Sequence, residues 1–454
     1  VVNPALRLER QLSATGFDQR ALERSTLLLV GRRDAPVLSC LAYFARLLGI
    51  PTVVADDSYP RPPLDEEQHL ALDVAPEVMR LDVSVDLASA LLPGFLESGC
   101  VTLIADPASC TKNLGGFGVP PIWVTVTDAG AFVLGDFVRA KLLSEFSTGL
   151  MPFAIANRVA ASLMLDHIAR AGGYSDPSGT PMPGPEPMTE TGRWFGSSLL
   201  HGPFLPTEAP LRVHIVGQGG LGSAILRDFV STLALRDALR GGSLILTDPD
   251  DWGESNFNRV LTVDQSGLFQ PKAVTNARYA EQRLTGLGVS ISADVSYFDP
   301  QSLGAAPGPR VVVAATDSLD SRREVIEAAT DRWPSALIVY AGGDFEWGSC
   351  RGHVPDQIRN DSLCFVHGPE SIDLADEALP DPFAFGCTAV GQPANVLTNV
   401  LVASAVVEIV ATWRARGFAP AHQHLVSWMN PEHLFHGPEI QVGCDCAEES
   451  WPGR

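Results

Sequence analysis

Basic residues are scarce in this sequence: 32 Lys and Arg stand against 53 Asp and Glu among 454 residues, a formal net charge of −21. That deficit argues against nucleic acid or an anionic membrane as partner, because a phosphate-rich surface calls for a basic face. Long apolar runs are missing as well. The most apolar stretches, around Leu150–Ala171 and Leu397–Thr412, are interrupted by Arg158, Asp166 and Glu408. A membrane span needs about 20 nearly uncharged residues, so both stretches read as amphipathic or buried helices. Val1 to Arg10 is mixed polar without an apolar core, so secretion is not expected. Cysteine is dilute: eight residues in a chain of this length do not make a disulfide scaffold and point to a reducing cytoplasm.

What is present describes an ordinary globular protein, since 45% hydrophobic against 19% charged residues is enough to build a core. At roughly 150 residues per domain, the length suggests two to three domains. Turn-forming residues cluster most densely in Gly172–Gly192 (GGYSDPSGTPMPGPEPMTETG). Such a stretch cannot bury a core and reads as a linker. The expected organisation is therefore an N-terminal module over residues 1–171, a Gly/Pro-rich linker over 172–204, and a C-terminal module over 205–454.

Both halves run through the same order of elements. In the first, an apolar strand Leu27–Val30 enters Gly31, a helical Val37–Leu48 follows, and a strand Thr52–Val54 ends at Asp56. In the second, Val213–Val216 enters Gly217, a helical Ser223–Leu239 follows, and Leu244–Leu246 ends at Asp248. Strand, turn, helix and strand with a terminal acid make a βαβ unit of a parallel sheet. Later segments correspond too: Val101–Ser109 with Val311–Leu319, Ile122–Gly130 with Ala336–Asp344, and Met151–Ile168 with Gln392–Ile409. In the last pair, Pro152 to Ile168 and Pro393 to Ile409 are both 16 residues apart. The pattern reads as a degenerate internal duplication, with the chance likeness of two doubly wound domains as the alternative. The fold class expected is α/β: two related doubly wound, Rossmann-like modules forming an intramolecular pseudo-dimer.

Gly217-Gln218-Gly219-Gly220-Leu221-Gly222 lies between a predicted strand and a predicted helix. Glycines at 217, 219, 220 and 222 allow the backbone to approach a phosphate, and the helix N-terminus supplies N–H donors. The motif by itself does not choose a nucleotide, and a dinucleotide-dependent oxidoreductase is the plain alternative. The matching turn of the first half, Gly31-Arg32-Arg33-Asp34, carries bulky charged residues, so that half reads as having lost its nucleotide site. Asp248 then opens a run that reaches Ser255-Asn256-Phe257-Asn258-Arg259, followed by Gln270-Pro271-Lys272-Ala273 and Thr316-Asp317-Ser318. An acid at a strand end suits ribose hydroxyls, a guanidinium and an ammonium suit the phosphates of departing pyrophosphate, and a second acid suits Mg²⁺. Hydride transfer has no need of an Arg and a Lys placed 13 residues apart to meet a triphosphate.

At these residues the chain resembles the ThiF/MoeB and ubiquitin-activating superfamily of adenylating enzymes. The family pattern is a GxGGLG turn, an acid, SNxxR, a (G/Q)PKA lysine and TD(N), and here only Ser318 departs from it, where Asn is usual. The resemblance covers Leu211 to about Cys446 and implies ATP and Mg²⁺ as ligands. By it, Asp248 binds the ribose, Asn256, Arg259 and Lys272 the phosphates, and Asp317 the Mg²⁺. It also implies an arginine reaching in from a partner module, usually within RxxRQ. Leu6-Arg7-Leu8-Glu9-Arg10-Gln11 provides Arg10 as that residue, which makes the first half a degenerate module serving the second.

Many members carry a structural Zn²⁺ on paired cysteines, and the corresponding residues here are Cys364, His367, Cys444 and Cys446. Cys₃His suits tetrahedral Zn²⁺, although the one-residue gap between Cys444 and Cys446 is a less usual chelate; a zinc-free relic is the alternative. Cys387 stands where some relatives place a sulfur-handling or thioester-forming cysteine, with a merely structural role as the alternative. The activity implied is adenylation of the C-terminal carboxylate of a small ubiquitin-like or sulfur-carrier protein, or of a ribosomally made peptide. Acyl-AMP and pyrophosphate are the products. The protein is expected in the cytoplasm, as a monomer acting as a pseudo-dimer or as a higher homo-oligomer. The alternative is a leader-peptide-binding partner in peptide biosynthesis with no adenylation of its own.

Overall fold

The computed structural model describes residues 3–12, 14, 16–32, 35–56, 78–108, 110, 114–127, 130–145, 153–175, 193–195, 210–299, 301, 311–343, 347–357, 395–416 and 423–427. They form two compact units, each built on its own sheet.

The first sheet contains β1 Thr26–Val30, β2 Thr52–Ala55, β3 Arg80–Val83, β4 Val101–Ala105, β5 Ile122–Thr127, β6 Gly130–Leu134 and β7 Arg193–Phe195, in the order β3-β2-β1-β4-β5-β6-β7. The second contains β8 Arg212–Val216, β9 Ser243–Thr247, β10 Ser290–Asp294, β11 Val311–Ala314, β12 Leu337–Gly343, β13 Trp347–His353 and β14 Gln423–Ser427, in the order β10-β9-β8-β11-β12-β13-β14. Strand for strand the two orders are the same. In both, five parallel strands are extended by two antiparallel ones. The doubly wound fold expected for each half is the one found, with the order reversing on either side of its first strand.

Hydrophobic runs dictate the central strands. Thr26–Val30 and Val311–Ala314 are buried at every position, as strands covered on both faces require. Leu28 pairs with Val53 on one side and Leu103 on the other, and Val213 pairs with Leu244 and Val311. Beneath the first sheet, Trp123, Leu103, Val53 and Leu92 belong to one apolar cluster; in the second, Val312, Ile338, Ala329 and Tyr340 do the same.

Three readings of the sequence need amendment. Arg193–Phe195, placed within the linker, is the edge strand β7, paired antiparallel to Ala131–Val133. Its Arg193 forms an ion pair with Asp166, a buried acid in the helix Phe153–Ala171, and donates to Ser162 Oγ at 3.3 Å. A three-residue strand without apolar alternation carries no signal until a partner edge is known. The helix read as Ser223–Leu239 is two helices, Gly220–Ser231 and Leu233–Ala238, because Thr232 takes an extended conformation (φ −81°, ψ 109°) that closes one and opens the other. Finally, Gly253–Leu268 clusters with the first unit, although the sequence places it inside the second module.

Among the described residues, one helix, Val396–Ala415, is long and apolar enough to cross a membrane, with mean hydropathy 1.8, and 89% of that window is buried inside the protein.

Candidate functional site

In the second unit, the crevice of interest lies where β8 meets β11, the switch point of the strand order, at the carboxyl ends of the strands. Gly217 ends β8 with φ +89°, a left-handed conformation, and a Cβ there would come within 2.5 Å of the Ala315 carbonyl oxygen at the end of β11. Gly222, in the first turn of the helix Gly220–Ser231, has still less room: its Cβ would lie 1.9 Å from the Gly217 carbonyl oxygen. These two glycines fold the turn tightly on itself and press the helix onto the strand. Gly219 is different. It caps the helix in an extended conformation, and a Cβ built on it meets no atom within 4 Å. Its open side is the cradle at which a phosphate could approach the amides of the helix N-terminus.

The acid at the end of β9 is tied to this turn. Asp248 Oδ2 accepts from Gln218 N at 2.6 Å, and Oδ1 accepts from Asp250 N at 2.9 Å. Burial raises the Asp248 pKa, while the Lys272 ammonium and the two backbone donors act to lower it. Lys272 opens the helix Lys272–Arg283, where its backbone N donates to Asp250 O. The Lys272 Nζ donates to Asp250 Oδ2 at 2.8 Å, lies 3.8 Å from Asp248 Oδ1, and stands 5.9 Å from the Trp252 ring centroid. Trp252 is fixed in turn by donating from Nε1 to Thr275 Oγ1 at 2.6 Å. A buried ammonium is stabilised only when paired, which explains why two carboxylates surround it. Lys272 is thus charge-matched by Asp248 and Asp250.

Asp317 follows β11 on the other side of β8 and is exposed. Its backbone is anchored by Arg322, which donates from Nε to Thr316 O at 2.7 Å and from Nη2 to Asp317 O at 3.5 Å. Ser318 caps the following helix by accepting from Ser321 N, a task Asn also performs at helix N-caps.

In the first unit, Asn256 Oδ1 accepts from Gly253 N at 2.9 Å and closes the turn Glu254–Asn256. Arg259 is buried and donates to Ser255 O at 2.6 Å and to Asn258 Oδ1 at 2.9 Å. The helix Pro4–Arg7 packs against the turn Glu254–Asn256, and Arg10 follows in the helix Glu9–Leu12. So Arg10, Asn256 and Arg259 belong to one unit, and the glycine turn, Asp248, Lys272 and Asp317 to the other. Cys364, His367, Cys387, Cys444 and Cys446 lie outside the described residues. Among the described residues no group of three or more His, Cys, Asp or Glu is placed to hold a metal ion.

Residues 209–377 match the ThiF family. The matched stretch contains the glycine turn, Asp248, Asn256, Arg259, Lys272 and Asp317, and it covers a little over a third of the chain. No curated protein sequence matches. Among solved structures, PaaA is similar at 20% identity and a TM-score of 0.33, over 48% of this chain and 60% of that one. Escherichia coli MccB in complex with ATP is similar at 15% identity and a TM-score of 0.35, over 51% of this chain and 65% of that one. The same enzyme with MccA-N7isoASN gives 16% and 0.36, over 48% and 61%. The chain therefore spans less than two thirds of the length of these structures.

Sequence reasoning missed Asp250, Gln218 and Asn276. Asp250 was visible as part of an Asp-Pro-Asp-Asp run, and Asn276 as the residue one helical turn after Lys272. Neither position announces a partner before the strands are laid side by side.

Proposed function

We propose that the protein is an ATP-dependent adenylyltransferase acting on the C-terminal carboxylate of a small carrier protein or a ribosomal peptide. The supporting observation is the assembly of Asp248 and Lys272 beside a glycine turn in which Gly219, where a Cβ meets nothing within 4 Å, leaves space at a helix N-terminus. The turn fits a phosphate chain because glycines at 217 and 222 let it fold tightly where a Cβ would clash with backbone, while the space at 219 is open. ATP supplies an α-phosphorus that a carboxylate oxygen attacks, with the bond to the β-phosphate bridging oxygen broken and pyrophosphate leaving.

The chain's own groups hold and orient. Asp248, whose oxygens each retain acceptor capacity beyond one backbone bond, receives the ribose hydroxyls. Lys272 exchanges Asp250 for a phosphate oxygen, a swap between two anionic partners that costs little desolvation. By the family resemblance, Asn256, Arg259 and Arg10 are assigned to the phosphates, and Asp317 would hold Mg²⁺. The protein contributes positioning and charge neutralisation rather than covalent chemistry. The zinc assignment, the role of Cys387, the cytoplasmic location and the pseudo-dimer stand as parts of the same proposal.

Calorimetric titration with ATP and with NAD⁺ tests the nucleotide. ATP binding that weakens in Asp248→Asn and Lys272→Met supports the reading, and labelled pyrophosphate released only with a carboxylate substrate completes it. Binding of NAD⁺ in place of ATP would sink it. Tight capture of a peptide with no nucleotide bound would favour a leader-peptide-binding protein instead.

A further inference from the structure

Gln218 occupies the second position of the glycine turn, yet it is fully buried. Its side-chain Nε2 donates to Ile215 O at 2.9 Å, so the amide folds back under β8 rather than facing the open side of the turn. Its backbone is held twice. The N–H donates to Asp248 Oδ2, and the carbonyl oxygen accepts from Asn276 Nδ2 at 3.3 Å. The same Asn276 amide also donates to Gln218 Oε1 at 3.1 Å. Asn276 is itself fully buried, in the helix that begins at Lys272.

A trans peptide is planar, with its C=O and N–H pointing in opposite directions. Holding the Gln218 carbonyl inward therefore turns the Gly219 N–H outward, toward the side where a Cβ at 219 meets nothing within 4 Å. The opposing arrangement is within reach. Rotating the 218–219 peptide by half a turn moves Gly219 from φ −69° to positive φ, which a glycine accepts at no steric cost. In that state a carbonyl oxygen, not an N–H, would face an incoming anion.

We infer that Asn276 is a positioning residue: by gripping Gln218 it aims the Gly219 N–H at the phosphate chain. It also links the glycine turn to the helix that carries Lys272, so the two phosphate-facing groups keep a common frame. The assignment rests on the nucleotide reading above for its ligand, but the peptide orientation does not.

Two variants separate aim from mere packing. Asn276→Leu keeps the branching at the γ carbon and removes the donor. Asn276→Asp goes further, since a carboxylate repels both Gln218 oxygens and attracts the Gly219 N–H inward. Binding of ATP and of adenosine is measured by calorimetry for each protein. Loss of one charge-assisted hydrogen bond corresponds to about a 10- to 150-fold weakening. That weakening is expected for ATP in Asn276→Asp, with a smaller loss in Asn276→Leu, while adenosine, which has no phosphate, changes less than about threefold. ATP and adenosine weakening in equal proportion would overturn the inference. In nucleotide-free protein, amide exchange over Gly217–Gly222 should change in both variants while the helix Leu319–Arg332 keeps its rate. An unchanged turn overturns the inference whether or not ATP binds. A wild-type protein that binds no ATP, but whose turn responds to Asn276, instead overturns the nucleotide reading alone.

Discussion

Gly219→Ala separates what the glycine turn does for the fold from what it does for a ligand. In the ligand-free protein the new methyl group meets no atom within 4 Å, and the backbone is extended (φ −69°, ψ −157°), a conformation open to alanine. The stability cost is confined to a poorer helix N-cap and stays below about 1 kcal/mol. A phosphate oxygen that needs to sit against the backbone at 219 meets the methyl first. Losing one charge-assisted hydrogen bond costs about 1.5–3 kcal/mol, which is roughly a 10- to 150-fold weaker ATP complex. Gly222→Ala provides the contrast. Its Cβ would stand 1.9 Å from the Gly217 carbonyl oxygen, and that contact is backbone, so turn and helix must separate. Overpacking of this kind costs about 1–3 kcal/mol and reduces binding and stability together. The assays are calorimetric titration with ATP and the urea midpoint. Gly219→Ala that binds ATP as the wild type does would show that the phosphates lie elsewhere.

Other consequences follow from buried groups away from the site. Burial holds His167 and His214 at a pKa of about 4 and His353 at about 3, against an ordinary 6.5. The unfolded chain therefore takes up protons below pH 6.5 that the folded chain refuses, so stability present above 6.5 is lost as pH falls toward 4, by up to about 3 kcal/mol per histidine. Urea midpoints between pH 7 and 5 should fall, and His214→Gln should flatten the slope; an unchanged slope contradicts the assignment. Arg193→Met leaves Asp166 buried without its cation and should cost about 3 kcal/mol or more, while adding Asp166→Leu should recover most of it. A loss below about 1 kcal/mol would mean that β7 is not held by this pair. Phe269 is the one non-glycine residue at positive φ among those described (62°), and it is 69% exposed. Phe269→Gly should relieve backbone strain and raise stability by up to about 1 kcal/mol, whereas destabilisation would reveal packing by its ring.

Much of the fold was legible in the chain because parallel strands buried on both faces must be largely apolar. Leu27–Val30, Val101–Ala105, Val213–Val216 and Val311–Ala314 all announce themselves that way. Antiparallel extensions do not. Residues such as Arg193–Phe195 and Trp347–His353 become strands only because β6 and β12 present an edge to pair with. The site divides along the same line. Gly217, Gly219, Gly222, Asp248 and Lys272 were singled out from residue type and order, and the structure brings the turn, Asp248 and Lys272 to one end of the second sheet.

The sequence by itself determined that there are two related modules, that the second has a glycine turn between its first strand and first helix, and which acids and cations follow it. Periodicity and motif order are local properties, and they survive without knowledge of what lies across the sheet. Only the tertiary structure decided how those groups are charged and aimed. Lys272 rests between Asp248 and Asp250, and Gly253–Leu268 clusters with the first unit. Asn276 reaches Gln218 across 58 residues of chain. Ion pairing and peptide orientation depend on distances between elements that the fold alone sets.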